Sequence, residues 1–235
     1  MTTNTEFTNV ADDLEWRGAL FDATPGAAHT LATEKVTAYN GFDPTASSLH
    51  IGNLVAIMGL VRLQQYGHTP VALVGGGTGM IGDPSGRADE RTLLSLADID
   101  YNVEAIHAQL EPFLDFNAKS NPAKMVNNAD WLRTTELLPF LRDVGKHFTV
   151  NTMMGRDSVK DRFSRDSGIS FTEFSYQLLQ AYDFLKLYEN DNVAFQAGGS
   201  DQWGNILGGV DLIRRIHGAN SEGQPRAHGI AYPLV

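Results

Sequence analysis

Residues 35–53 read KVTAYNGFDPTASSLHIGN and change character halfway along. The β-branched and aromatic residues 36–39 predict a short strand, which Gly41 and Pro44 end. After a turn of small hydroxyl residues, the apolar positions of residues 54–61 recur at helical spacing. The stretch therefore predicts a strand, a tight loop and a helix in succession.

The start of that helix has the chemistry of an anion site. His50, Gly52 and Asn53 lie where backbone N–H groups have no partner within the helix and where the helix dipole favours negative charge. Gly52 has no side chain, so a ligand can approach the backbone closely. His50 and Asn53 are three residues apart and can donate to the same ligand.

Composition limits the classes of protein to be considered. The chain has 235 residues, no cysteine and a net charge of −10. The length suits one sizeable domain, no run approaches the ~18 apolar residues of a membrane span, and the polar N-terminal residues do not resemble a secretory signal. The absence of cysteine excludes disulfides and thiolate zinc sites and fits a cytoplasmic protein. The negative charge argues against broad nonspecific binding of nucleic acid, but not against a local contact with an RNA end.

The rest of the chain alternates between the two kinds of secondary structure. We predict strands at residues 71–74, 124–126 and 193–196, and helices at residues 6–23, 98–113, 135–143, 170–188 and 201–217. Apolar strands that alternate with helices indicate an α/β fold, a Rossmann-like parallel sheet with helices on both faces. Such folds bind ligands at the carboxyl ends of the strands. We divide the chain into an N-terminal helical segment, residues 1–34, and a Rossmann-like domain, residues 35–235.

A glycine loop supports an alternative function. Residues 77–82, GTGMIG, match the dinucleotide fingerprint and follow a predicted strand, as in a dinucleotide-dependent oxidoreductase. That fingerprint needs a helix at its end, whereas Pro84 and Gly86 favour a continuing loop. A Walker A loop is excluded because Asp83 stands where a lysine would be needed.

The helix predicted at residues 170–188 has a polar face. Tyr176, Gln180 and Asp183 share this face, and periodicity alone favours a solvated surface for them. The opposite face is apolar and is predicted to be core; its members are Phe171, Phe174, Leu178, Ala181 and Leu185. Further along, Ser200 or Asp201 can cap the helix predicted to follow residues 193–196.

Four strings in the same order resemble the bacterial-type tyrosyl-tRNA synthetase family of class I aminoacyl-tRNA synthetases: GFDPTA with SLHIG, GDPSG, FSYQLLQAYD and QAGGSDQWGN. The resemblance covers residues 16–235 and implies a class I aminoacyl-tRNA synthetase catalytic domain. It implies ATP-dependent activation of L-tyrosine to tyrosyl-adenylate and transfer to tRNA(Tyr), with Mg²⁺ as the counterion of pyrophosphate. It also implies a cytoplasmic homodimer, in which Phe171 belongs to the segment that resembles the dimer interface.

The resemblance assigns roles residue by residue. Asp183 and Tyr39 are expected to bind the phenolic hydroxyl of tyrosine, and both would lose hydrogen bonds if phenylalanine entered. Asn53 stands where the family usually has histidine; it keeps a neutral donor but lacks the imidazole. The implied tyrosine-binding residues are Tyr39, Asp83, Tyr176, Gln180, Asp183, Gln196 and Gln202. The implied ATP-binding residues are Gly41, Asp43, Thr45, His50, Gly52, Asn53, Gly199 and Asp201, of which His50, Asn53 and Thr45 are the catalytic candidates.

The sequence leaves the activity of this chain open. In the family, the position of Val235 precedes a mobile Lys-Met-Ser-Lys-Ser-type loop and a helical anticodon-binding domain. We therefore expect a chain that binds tyrosine but forms adenylate poorly. A non-catalytic module that binds tyrosine or a nucleotide would show the same pocket residues and remains an alternative.

Overall fold

The computed structural model describes residues 7–83, 94–156, 159–160, 168–221 and 223–234. The strands are β1 Asp22–Ala23, β2 Thr37–Phe42, β3 Thr69–Val74, β4 Lys124–Asn127, β5 Val193–Gly199 and β6 His228–Tyr232. The main helices are α1 Val10–Trp16, α2 Ala27–Thr33, α3 Asn53–Gln65, α4 Leu96–Leu110, α5 Ala129–Leu132, α6 Leu137–Asp143, α7 Val150–Met154, α8 Phe171–Asp191 and α9 Trp203–His217.

The strands form one six-stranded sheet in the order β1-β6-β5-β2-β3-β4. Strands β2 to β6 run parallel to one another, and β1 pairs antiparallel with β6. The direction of chain progression reverses between β2 and β5, where Tyr39 is in register with Gln196. In an open α/β sheet this reversal opens a crevice at the carboxyl ends of the strands. The predicted Rossmann-like α/β fold is confirmed.

Apolar clusters cover both faces of the sheet. Because the side chains of a strand alternate in direction, one strand contributes to both clusters. In β3, Ala72 and Val74 join a cluster with Leu60 of α3, whereas Val71 and Leu73 join a second cluster with helices α8 and α9. Strand β3 is therefore buried on both sides, which explains its continuous apolar sequence.

The N-terminal segment differs from the expectation. Helix α1 ends at Trp16 rather than continuing to residue 23, and Gly18 adopts a positive φ of 64° that ends helical geometry. Strand β1 then pairs with β6, so Asp22 is in register with Ala231. The prediction that one helix continues to residue 23 is wrong for this reason: residues 22–23 form an edge of the sheet.

Two other elements differ in detail. Strand β2 continues through Gly41 to Phe42 because it pairs with β3 along its whole length. In α8, Ala181 and Leu185 are buried as predicted, but Phe171 is 78% exposed. The prediction that Phe171 belongs to the core is wrong, because the first residue of α8 projects into solvent. None of the helices in the described residues has both the length and the hydropathy needed to cross a bilayer.

Candidate active site

A cavity of about 510 Å³ lies where the carboxyl ends of β2, β3, β5 and β6 meet. Its floor includes residues of α8, and its mouth includes the loop before α3 and the first turn of that helix. The structure brings every sequence-predicted site residue to this one cavity: Tyr39, Gly41, Asp43, Thr45, His50, Gly52, Asn53, Asp83, Tyr176, Gln180, Asp183, Gln196, Gly199, Asp201 and Gln202.

Asp183 forms the charged part of the floor. Its side chain is buried, and each carboxylate oxygen accepts one hydrogen bond: Oδ2 from Asn128 Nδ2 at 2.8 Å and Oδ1 from Trp131 Nε1 at 2.7 Å. Burial raises the pKa of Asp183 to about 7, although the two hydrogen bonds act in the opposite direction. The carboxyl group of Asp183 therefore takes up a proton more readily than an exposed aspartate.

Tyr39 lies beside this carboxyl group. Burial, and secondarily the charge of Asp183, raises the pKa of the Tyr39 phenol well above its ordinary value. Within the described part of the chain, the Tyr39 hydroxyl has no hydrogen-bond partner, and the same holds for four other buried atoms of the cavity wall. These are Asn40 Oδ1, Gln180 Oε1, Gln196 Oε1 and the hydroxyl of Tyr232. The hydroxyl of Tyr232 packs against Gly59 of α3, and Gln196 Oε1 packs against Gly209 of α9. Since buried polar atoms are normally paired, the unpaired Tyr39 hydroxyl and Gln180 Oε1 are the atoms that indicate a polar ligand.

The mouth of the cavity is built differently from the expectation. The N–H of Gly52 donates to His50 Nδ1 at 3.1 Å, and those of Asn53 and Leu54 donate to the carbonyls of His50 and Ile51. The N–H groups of Gly52, Asn53 and Leu54 are therefore not unpaired as predicted, because the loop itself pairs them.

Side chains supply the donors instead. Since His50 Nδ1 accepts a hydrogen bond, the proton of neutral His50 is on Nε2. Asn53 Oδ1 accepts from the N–H of His50 at 3.0 Å, so the Asn53 amide keeps both of its own N–H donors for other acceptors. Two side-chain donors thus lie at the cavity mouth, His50 in the loop before α3 and Asn53 at the first residue of that helix.

The backbone at Gly199 lies close to neighbouring side chains, so a larger residue at this position would clash with them. A Cβ atom at this position would lie 2.6 Å from Asp201 Oδ1 and 3.1 Å from Leu234 Cδ2. Burial, followed by the charge of Asp83, raises the pKa of Asp201. Asp83 itself is buried and accepts a hydrogen bond from Gln202 Nε2 at 2.7 Å.

The glycine loop does not have the geometry of a dinucleotide cradle. The N–H groups of Gly77, Gly79 and Gly82 donate to Asn128 Oδ1, the Gly75 carbonyl and the Thr78 carbonyl, so none is directed at a ligand. The loop itself contains a short 3₁₀ turn, Thr78–Met80, rather than the first turn of an α-helix. The oxidoreductase alternative is therefore not supported. Pro84 and Gly86, on which the sequence argument also drew, lie outside the described residues.

Sequence reasoning missed four residues of the site. Asn128 and Trp131 follow β4 and contact Asp183, while Asn40 and Tyr232 contribute buried polar atoms to the wall. For Asn128 a usable indication existed, because it lies two residues beyond the strand predicted at residues 124–126, at the edge of a parallel sheet where ligands bind.

A Rossmann-like domain with a polar pocket at its strand reversal defines a class of nucleotide-binding α/β proteins. The family model of class I tRNA synthetases (W and Y) matches residues 31–235, and the chain belongs to that family.

Individual relatives agree with this assignment. The chain is 55% identical over 228 residues to a tyrosine–tRNA ligase of Roseiflexus castenholzii, an alignment that covers 97% of this chain and 52% of the relative. It is 59% identical over 208 residues to a tyrosine–tRNA ligase of Cytophaga hutchinsonii, covering 88% and 48% respectively. The chain thus spans about half the length of the curated relatives it matches.

Among solved structures, a C-terminally truncated mitochondrial tyrosyl-tRNA synthetase of Coccidioides posadasii is similar, with a TM-score of 0.83 and 29% identity. That match covers 99% of this chain and 68% of the solved chain.

Proposed function

We propose that this chain carries the site at which a tyrosine–tRNA ligase activates L-tyrosine with ATP before transfer to tRNA(Tyr). The observation that carries the proposal is that Asp183 and Tyr39 at the floor of the cavity and His50 at its mouth line one continuous space. Membership of the class I family and the similarity to tyrosine–tRNA ligases support it.

The floor suits a phenolic hydroxyl. In the proposed complex, the hydroxyl of the substrate donates to Asp183 and accepts from the hydroxyl of Tyr39. Phenylalanine would bury both groups without these hydrogen bonds, which is costly in a dry pocket. Asn128 and Trp131 hold the carboxylate in place and favour its ionised form.

The middle of the cavity suits an ammonium group. Asp83, Tyr176 and Gln180 line it together, and we assign them to the α-amino group of tyrosine. Gln202 contacts Asp83 and is assigned to the substrate, and Gln196 to the outer wall of the pocket. This arrangement leaves the substrate carboxylate directed towards the mouth.

At the mouth we assign His50, Asn53 and Thr45 to the phosphates of ATP. The remaining nucleotide contacts are proposed to be Gly41, Asp43, Gly52, Gly199 and Asp201. In the reaction, an oxygen of the tyrosine carboxylate attacks the α-phosphorus, and the bond from that phosphorus to pyrophosphate breaks. No protein group becomes covalently bound. The His50 Nε2–H and the Asn53 amide would stabilise the charge that develops on the leaving pyrophosphate, and positioning supplies the rest of the acceleration.

Mg²⁺ is proposed as the counterion of the leaving pyrophosphate. Among the described residues, no group of three or more histidine, cysteine or acidic side chains could hold a metal ion. Since Mg²⁺ in nucleotide sites is bound largely through substrate phosphates and water, the ion is expected to arrive with ATP.

The proposed assembly is a cytoplasmic homodimer that acts on tRNA(Tyr). The exposure of Phe171 at the start of α8 supports a second copy at this position, since a large aromatic side chain is otherwise left in water. The cysteine-free sequence fits the proposed compartment.

The proposal is tested by calorimetry of tyrosine binding and by tyrosine-dependent exchange of pyrophosphate into ATP. We expect tyrosine to bind and phenylalanine not to bind measurably at the same concentration. A chain that fails to bind tyrosine would refute the proposal. Binding without exchange, also in a version extended to the length of the relatives, would instead identify a non-catalytic binding module. A thermal shift with NAD but not with tyrosine and ATP would restore the oxidoreductase alternative.

A further inference from the structure

Four polar side chains form a continuous line of hydrogen bonds from outside the cavity to its interior. Arg156 Nη1 donates to Asn205 Oδ1 at 3.3 Å, and Asn205 Nδ2 donates to Gln202 Oε1 at 3.2 Å. Gln202 Nε2 donates to Asp83 Oδ2 at 2.7 Å. Gln202 and Asp83 line the cavity, whereas Arg156 does not.

Arg156 packs against glycine residues of helix α9. Gly204 and Gly208 lie one turn apart on α9, and a Cβ atom at Gly208 would lie 2.4 Å from Arg156 Nη2. The guanidinium group therefore lies directly on the helix backbone, close enough to reach Asn205. Burial lowers the pKa of Arg156 to about 10, so the group remains charged at neutral pH. The charge of Asp211 acts in the opposite direction and raises the pKa of Arg156, while the hydrogen bond of the guanidinium group goes to the uncharged amide of Asn205.

The hydrogen bonds of this line can run from donor to acceptor in only one order. A guanidinium group can only donate, and an ionised carboxylate can only accept. With Arg156 at one end and Asp83 at the other, each amide between them must present its oxygen towards Arg156 and its nitrogen towards Asp83. If either amide turned over, it would place donor against donor or acceptor against acceptor in a buried site.

We propose that Arg156 is a positioning residue for tyrosine, which fixes the amide of Gln202 and thereby the carboxylate of Asp83 for the α-amino group of the substrate. This inference rests on the function proposed above. Arg156 acts through two other residues and does not itself touch the ligand.

The first test replaces the donor. Arg156→Met keeps much of the aliphatic length but removes the guanidinium donor to Asn205 Oδ1, and we expect the Kd for L-tyrosine by calorimetry to rise about three- to tenfold, as for one lost hydrogen bond. Arg156→Lys keeps a group that can only donate and should restore most of the affinity. Arg142→Met is the matched control, because Arg142 is exposed and pairs with its neighbour Asp143; its Kd should equal that of the wild-type chain.

The second test distinguishes an effect on the orientation of the amide groups from an effect on the stability of the chain. Asn205→Asp should form an ion pair with Arg156 but would place a carboxylate oxygen against Gln202 Oε1. We expect a Tm close to that of the wild-type chain, because the new ion pair with Arg156 offsets the contact between the two acceptor oxygens, together with a Kd at least as weak as that of Arg156→Met. A merely structural role for Arg156 predicts no loss of affinity in this variant.

The outcomes are distinct. Unchanged tyrosine affinity in Asn205→Asp would overturn the positioning role, as would a lowered Tm with unchanged Kd in Arg156→Met. If Arg156→Met does not fold, Asn205→Asp and Arg156→Lys decide the question. A wild-type chain that binds no tyrosine would refute the proposed function itself, and would do so before any variant is compared.

Discussion

The indole Nε1–H of Trp131 donates to Oδ1 of Asp183 over 2.7 Å, joining the helix after β4 to the floor of the cavity. This hydrogen bond favours the ionised carboxylate, so its removal should raise the pKa of Asp183 above its value of about 7. We predict that Trp131→Phe raises the Kd for tyrosine at pH 7 by about three- to tenfold. Calorimetry at pH 7 and pH 8.5 checks the cause, because the deficit should shrink at the higher pH, where Asp183 ionises in both proteins. An equal deficit at both pH values would indicate lost packing instead. Trp16→Phe, at an exposed position, is the control.

Removal of the carboxyl group should affect selectivity as well as affinity. Asp183→Ala deprives the substrate hydroxyl of a charged acceptor, and we predict a loss of tyrosine affinity on the order of a hundredfold. Phenylalanine has no hydroxyl group and makes no such hydrogen bond, so its affinity should not fall with that of tyrosine. The ratio of the two affinities should therefore decrease by a similar factor. Competition binding with both amino acids provides the measurement. Asp191→Ala changes a carboxylate at the other end of α8 and should leave both affinities unchanged. Unaltered tyrosine binding by Asp183→Ala would remove Asp183 from the pocket.

A buried histidine away from the cavity should make stability depend on pH. His68 is 1% exposed, and its Nδ1 accepts from the N–H of Val36 at 3.3 Å. Burial, with a smaller effect of Lys35, lowers its pKa from 6.5 to about 4. The unfolded chain therefore binds the proton more readily, and the stabilisation is complete above pH 6.5 and is lost as the pH falls towards 4.

The size of this effect can be measured by urea unfolding. Between pH 7 and pH 5, His68 should remove about 2 kcal/mol from the free energy of unfolding. In His68→Asn, whose amide oxygen can accept from Val36 without titrating, this part of the pH dependence should disappear. The exposed His29→Asn variant should keep the pH dependence of the wild-type chain. Parallel pH profiles for the wild-type chain and His68→Asn would contradict the prediction.

The N-terminal helix is tied to the domain by one buried carboxylate. Asp13 is 2% exposed and accepts from Arg17 Nε at 2.8 Å and from Arg62 Nη1 of α3 at 2.7 Å. We predict that Asp13→Ala lowers the free energy of unfolding by about 2–4 kcal/mol, since both arginines lose a buried partner. Asp143→Ala breaks an exposed pair with Arg142 and should have no measurable effect. Equal free energies of unfolding for the two variants would show that the ion pairs of Asp13 with Arg17 and Arg62 do not stabilise the chain.

The sequence was sufficient for features that depend on local pattern and composition. The alternation of apolar strands with helices predicted the parallel sheet, because strands buried on both faces must be continuously apolar. Pattern and resemblance together also named the residues that line the cavity, and His50, Tyr39 and Asp183 do meet there. The turn chemistry around Pro84 argued against a dinucleotide fingerprint from the sequence; that turn lies outside the described residues, whereas the paired N–H groups of Gly77 and Gly79 argue against the fingerprint from the structure.

Other features depend on residues far apart in the chain. Strand β1 has two residues and no periodicity of its own; it exists because Asp22 pairs with Ala231. Asp183 looks like one polar residue on a helix, and its raised pKa follows from burial that no helical period reveals. The same holds for its contacts with Asn128 and Trp131 and for the line from Arg156 to Asp83. A local pattern determines which elements form, because backbone pairing and periodic burial act over a few residues. The ionisation and orientation of the site's polar groups were settled by tertiary structure, because desolvation and hydrogen-bond direction depend on everything that surrounds each group.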